Sequence, residues 1–171
     1  EAGMIKSLSG GLDVFLQPGE WYFGDQHTRV RTTLGSCVAI VLWHPQRKLG
    51  GMCHYMLPSR GDRGNEPLSG RYGDEALQLL LDEVRRCHTQ VSDYELKLFG
   101  GANMFLAETR RQDDVPARNV AAAHELMSKY GLQAKAESLG GFGYRQLIFD
   151  IASGDVWMRQ GGSGLLNTGQ V

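Results

Sequence analysis

The most constraining stretch of the chain is the apolar run Cys37-Val38-Ala39-Ile40-Val41-Leu42-Trp43, framed by Gly35 on one side and His44-Pro45 on the other. It is too short for most helices and apolar on both faces, so it specifies a central buried strand. The polar turn His44-Pro45-Gln46-Arg47-Lys48 follows, and Leu49 to Leu57 is again extended, ending at Pro58. These two strands are expected to pair as an antiparallel hairpin.

The remaining elements are arranged around that hairpin. Val14 to Phe23 reads as an opening hairpin turning at Pro18-Gly19. Residues 59–72 are polar, glycine-rich and without apolar period, which predicts a long mobile loop. Asp74 to Cys87 carries Ala76, Leu77, Leu80, Leu81 and Val84 at helical spacing, with Asp74 suited to the N-cap. A strand at Glu95 to Phe99 leads through Gly100-Gly101 into a second polar loop from Ala102 to Pro116. The second helix is expected from about Val120 to Tyr130, capped by Asn119 and stopped by Gly131. Gln133 to Leu139 and Arg145 to Ile151 alternate as strands, and Ser153-Gly154-Asp155 turns the chain back into Val156-Trp157-Met158. The expected class is therefore α+β: a layered sandwich of mixed, mostly antiparallel sheet with two main helices packed on its face. One domain over residues 1–160 is followed by a glycine-rich stretch, 161–171, read as a flexible C-terminal tail.

Composition narrows the function. Lys and Arg number 18 against 19 Asp and Glu, a formal charge of −1, which excludes a generally basic nucleic-acid binder. No run approaches the length of a membrane span, and the first residues lack the apolar core of a signal peptide, so a soluble cytoplasmic protein without membrane insertion is expected. The 3 cysteines form no CxxC pair, which argues against a disulfide framework and against a zinc quartet. A site built from Cys37, Cys53 and His54 is disfavoured as well, because strand alternation sends neighbouring side chains to opposite faces.

That alternation favours a different pairing. In a hairpin turning over residues 44–48, opposed residue numbers sum to about 91 or 92, so Cys37 faces residue 54 or 55 and His54 becomes its cross-strand neighbour. An imidazole beside a thiol can take its proton and hold the thiolate as an ion pair. Gly35 and Ser36 enter the strand just before Cys37, where backbone N–H groups can meet a developing oxyanion. Thr32, Thr33 and Ser36 supply hydroxyls able to orient His54, and spacing alone does not choose among them. Against this stands the ordinary fate of such residues: a buried free cysteine and a hydrogen-bonded structural histidine.

Two segments carry a resemblance. Leu34-Gly35-Ser36-Cys37-Val38-Ala39-Ile40 and Gly50-Gly51-Met52-Cys53-His54-Tyr55-Met56-Leu57-Pro58 resemble the signature of the CheD family of chemoreceptor glutamine deamidases. The likeness continues through Leu98-Phe99-Gly100-Gly101-Ala102, Arg118-Asn119-Val120, Leu139-Gly140-Gly141, Phe149-Asp150 and Ser153-Gly154-Asp155-Val156. It implies hydrolysis of glutamine side-chain amides in methyl-accepting chemotaxis receptors, giving glutamate and ammonia through a cysteine thioester, with no cofactor and no metal. Cys37 and His54 take the family's cysteine and histidine positions. Thr32 takes the threonine position, with Thr33 as the alternative. Ser36, Gly35 and Thr33 become oxyanion or substrate-binding candidates. The family departs from this chain at Gly143-Tyr144-Arg145, where it shows Gly-Arg. The resemblance also implies a CheC-type phosphatase as a second partner. Two other functions stand beside it: a non-catalytic receptor or phosphatase adaptor in which Cys37 only packs, and a methylesterase using the same thiolate on receptor glutamyl esters.

Overall fold

The computed structural model describes residues 3–6, 11–104, 114–161 and 167–171. Two sheets stack face to face, and two helices cover the outer face of one of them. The six-stranded sheet has the order β1 (Gly3–Lys6), β2 (Leu12–Leu16), β4 (Thr28–Leu34), β9 (Tyr144–Asp150), β10 (Val156–Gly161), β11 (Asn167–Gln170). The five-stranded sheet has the order β3 (Trp21–Asp25), β6 (Leu49–Cys53), β5 (Val38–His44), β7 (Glu95–Gly100), β8 (Ala134–Leu139). The pairs β2/β4 and β7/β8 are parallel, and the rest are antiparallel. Helices α1 (Gly73–Arg86) and α2 (Val115–Lys129) lie against the five-stranded sheet, so the class is α+β.

The apolar run is buried on both faces because each face of β5 feeds a different core. Val38, Ile40 and Leu42 pack with Leu77, Leu80 and Leu126 of the helices. Ala39 and Val41 pack with Val30, Leu147 and Phe149 of the other sheet. Neighbouring β6 is wedged between the same layers. A Cβ on Gly50 would stand 2.9 Å from the Phe149 ring, and one on Gly51 would stand 2.7 Å from the Tyr22 carbonyl oxygen and 3.0 Å from Leu80. Two glycines in a row let this strand run where any side chain would force the layers apart.

The opening segment differs from its expectation. Strands β2 and β3 do not form a hairpin; Pro18-Gly19 is a corner that carries the chain from one sheet to the other. Each strand has a better ladder elsewhere: β2 with β4 and β3 with β6, five residue pairs each. Helix α2 starts at Val115 rather than Val120, capped by Asp114, whose Oδ1 accepts from Ala117 N at 3.2 Å, with Pro116 in the first turn. An aspartate and a proline outweigh the absence of apolar period in the opening turn, and Asn119 falls inside the helix. Helix α1 opens at Gly73 without a side-chain cap. The loop over 59–72, expected to be mobile, is tied down: Arg60 donates to both carboxylate oxygens of Glu75 at 2.9 and 2.8 Å and to the Pro67 carbonyl at 2.8 Å. Most of the loop from Ala102 to Pro116 lies outside the described residues. Within the stretch read as a tail, β11 pairs with β10, and Lys97 Nζ donates to the Val171 carbonyl at 2.6 Å.

Candidate active site

Strands β5 and β6 pair with residue numbers summing to 93, not the expected 91 or 92, as in Val41↔Met52 and His44↔Leu49, and the Val38↔Tyr55 bridge continues that register. The loop proper is Pro45 to Lys48, closed by Lys48 in the left-handed region at φ 52° with its N–H on the His44 carbonyl at 2.9 Å. Cys37 is therefore level with Met56, and His54 with Ala39. A displacement of two residues preserves facing. Cys37 packs against the core between the sheets, and His54 points to the same side. They are diagonal neighbours, for which backbone separations of about 7–8 Å are usual.

The other sheet reaches His54 through Thr32. Its hydroxyl donates to the Leu16 carbonyl at 2.9 Å and lies 2.6 Å from His54 Nδ1. A hydroxyl has one proton, and Thr32 places it on Leu16; the short contact then requires Nδ1 to be the donor. This leaves the lone pair of a neutral imidazole on Nε2, the nitrogen turned away from Thr32. Alternation along β4 buries Thr32 and exposes Thr33 on the opposite face.

Burial sets the protonation of both groups. His54 is only 1% exposed, and desolvation lowers its pKa to about 4, so the ring is neutral at physiological pH. The half-buried Cys37 thiol is raised by desolvation, offset in part by a hydrogen bond from the Ser36 side chain. Among the described residues no hydrogen bond joins Cys37 to His54. The resting pair is thiol and neutral imidazole rather than the thiolate–imidazolium ion pair anticipated from sequence, because a low-dielectric setting penalises both charges. Cys53 faces the helices, fully buried, and its thiol is pushed up to about 12 by desolvation.

The chain entering Cys37 is held by its carbonyls. Gly35 C=O accepts from Ala102 N at 3.0 Å, Ser36 C=O from Asn119 Nδ2 at 3.0 Å, and Cys37 C=O from Gly101 N at 2.8 Å. A Cβ on Gly35 would lie 3.3 Å from Met104 Sδ. The Ser36 and Cys37 N–H groups donate to no backbone carbonyl among the described residues. No group of three or more His, Cys, Asp or Glu side chains able to hold a metal ion occurs among the described residues, and no helix among them is long and apolar enough to cross a membrane.

Two residues beside this site escaped sequence reading. Asn119, fully buried, donates through Nδ2 to the carbonyls of both Ser36 and Met56. Arg145, 3% exposed, donates to Ser138 Oγ at 3.0 Å and to the Gly140 carbonyl at 2.8 Å, and has no carboxylate partner among the described residues. An asparagine in the middle of a helix, where its propensity is poor, is the signal that could have marked the first.

A sequence model of the CheD family, described as CheD chemotactic sensory transduction, matches residues 56–160. The chain belongs to the CheD family. It is 51% identical over 151 residues to the protein named "Probable chemoreceptor glutamine deamidase CheD 1" of Chromobacterium violaceum, covering 88% of this chain and 78% of that one. It is 48% identical over 164 residues to "Probable chemoreceptor glutamine deamidase CheD" of Pseudomonas fluorescens, covering 95% and 92%. A CheD protein of Dechloromonas aromatica, named in the same terms, is 49% identical over 146 residues, covering 85% and 86%. The family model begins just after His54, whereas the match to the Pseudomonas protein spans so much of the chain that it takes in Thr32, Cys37 and His54.

Proposed function

We propose that this CheD-family chain deamidates glutamine side chains of chemoreceptors, with Cys37 as nucleophile, His54 as general base and acid, and Thr32 as the residue that orients His54. The observation that carries this reading is the 2.6 Å contact between Thr32 Oγ1 and His54 Nδ1, with the Thr32 proton committed to Leu16. It leaves Nε2 as an acceptor on the face that Cys37 occupies.

The chemistry follows from these groups. His54 Nε2 takes the Cys37 proton as sulfur attacks the side-chain amide carbon, so deprotonation and attack fall in one step. The tetrahedral oxyanion is met by the Cys37 N–H, which has no backbone acceptor among the described residues, with Ser36 and Gly35 beside it. Burial makes imidazolium costly, and this drives the proton on to the departing nitrogen; ammonia leaves and a thioester remains. Water, deprotonated by the same Nε2, attacks the thioester, and glutamate is released as the proton returns to sulfur. The thiol supplies the nucleophile without a cofactor. Because the substrate is a glutamine on another protein, the site works at the surface, with Met104 and the pinned loop over 59–72 as rim. The cytoplasmic part of a receptor is the expected partner, and a CheC-type phosphatase a second one.

The decisive experiment is mass spectrometry of receptor co-expressed with the wild-type chain or with Cys37→Ala. The wild type converts defined glutamines to glutamates and releases ammonia; Cys37→Ala, folded by its thermal melt, leaves them as glutamines. Conversion at an undiminished rate by that variant would remove Cys37 from the mechanism. Methanol release from methylated receptor, with no change at glutamine, would replace deamidation by esterase activity.

A further inference from the structure

The β5–β6 ladder ends at the Val38–Tyr55 pair, where both backbone hydrogen bonds form, at 3.1 and 2.9 Å. Beyond it the strands part: Met56 and Leu57 turn their N–H groups to the Arg71 carbonyl, at 2.8 and 3.1 Å. Into this fork α2 inserts the side chain of Asn119. Its Nδ2 donates to Ser36 C=O at 3.0 Å on one prong and to Met56 C=O at 2.8 Å on the other. The helix is secured there by Tyr55, whose hydroxyl donates to the Asn119 carbonyl at 2.6 Å. Asn119 Oδ1 is buried with no hydrogen-bond partner among the described residues. The amide orientation is fixed by these two carbonyls, since the reverse orientation would set oxygen against two oxygens.

The Ser36 carbonyl and the Cys37 N–H belong to one planar trans peptide and point in opposite directions. Holding the carbonyl toward α2 turns the Cys37 N–H the other way, where it has no backbone acceptor among the described residues. We infer that Asn119 is a positioning residue for the deamidation reaction: by clamping Ser36 C=O and Met56 C=O it aims the Cys37 N–H at the oxyanion. The inference rests on Cys37 being the nucleophile, as proposed above, and assigns Asn119 a role distinct from capping or packing.

The test separates thiol reactivity from amide hydrolysis. Alkylation by iodoacetamide needs the sulfur but creates no oxyanion, whereas deamidation needs both sulfur and oxyanion donor. In Asn119→Leu, which keeps bulk and removes the donors, and in Asn119→Ser, kcat for receptor deamidation falls roughly 100-fold or more, on the scale of losing an oxyanion donor. KM and the rate of alkylation at Cys37, followed by peptide mass mapping, stay within about threefold of wild type. An unchanged kcat, or a parallel fall of kcat and alkylation, overturns the inference. If neither variant folds, the wild-type protein decides: the Cys37 amide proton shifts downfield when a glutamine-derived peptide aldehyde adds to the thiol, and an unmoved amide overturns the claim. Inactive Cys37→Ala beside fully active Asn119 variants sinks this inference alone, while active Cys37→Ala sinks the reading beneath it.

Discussion

His54 shows how much one buried ring asks of a fold. Its pKa of about 4 lies below the ordinary value of about 6.5, so as pH falls the unfolded chain takes up a proton before the native one does. The stabilisation from a neutral His54 is complete above about pH 6.5 and is lost as pH drops toward 4; at about 1.4 kcal/mol per unit its size is roughly 3–4 kcal/mol. Urea titrations between pH 7 and 4 should show this slope in the wild type and a flatter one in His54→Gln; equal slopes would mean that the ring already carries charge in the native state. At this scale the sequence was informative in type and weaker in detail. Alternation placed Cys53 and His54 on opposite faces, and the two-residue displacement of register left Cys37 and His54 on a common one. What alternation could not supply was the dielectric environment: a layer of Val30, Leu147 and Phe149 over the site turns an expected ion pair into a neutral one. Nor could it choose between Thr32 and Thr33, because the phase of β4 is set by the core it meets.

Among the elements, the end of β7 governs the site most directly. Gly100 has φ 113°, and a Cβ there would stand 2.2 Å from the Cys37 carbonyl oxygen. Gly100→Ala is expected to cost about 2 kcal/mol or more in stability, since backbone strain and a clash coincide. It should also lower kcat about tenfold or more by displacing the Cys37 peptide. Thermal melts and receptor deamidation check both effects, and a stable, fully active variant would show that the Cys37 strand has slack. The hairpin of β5 and β6 was legible because a continuous apolar run, a polar turn and a second extended run are local signals. The start of α2 was not, since Val115 to Arg118 show no apolar period and the capping strength of Asp114 had to be weighed against that of Asn119. Reading Asn119 as a cap hid its position in the fork between the strands.

Over the whole molecule the layers are the organising fact, and here sequence reading reached the class but not the topology. The α+β sandwich follows from the strand and helix content; the transfer of the chain between sheets at Pro18-Gly19 does not, because a turn signal looks the same whether its strands pair or part. Phe149 lies fully buried between the sheets, over Gly50. Phe149→Ala should cost roughly 3–5 kcal/mol in urea unfolding. A loss below ~1 kcal/mol would mean that the layers close over the gap or that the other inter-sheet residues hold them unaided.

The bond from Thr32 to His54 runs from one layer to the other, while Cys37 and His54 travel together on the second. If these residues act as proposed above, catalytic competence is conditional on the alignment of two separately hydrogen-bonded slabs. On the mechanism proposed above, a molecule whose slabs have slipped, though still folded in each half, would lose the contact that fixes the His54 tautomer, and only an intact copy would write glutamates onto a signalling partner.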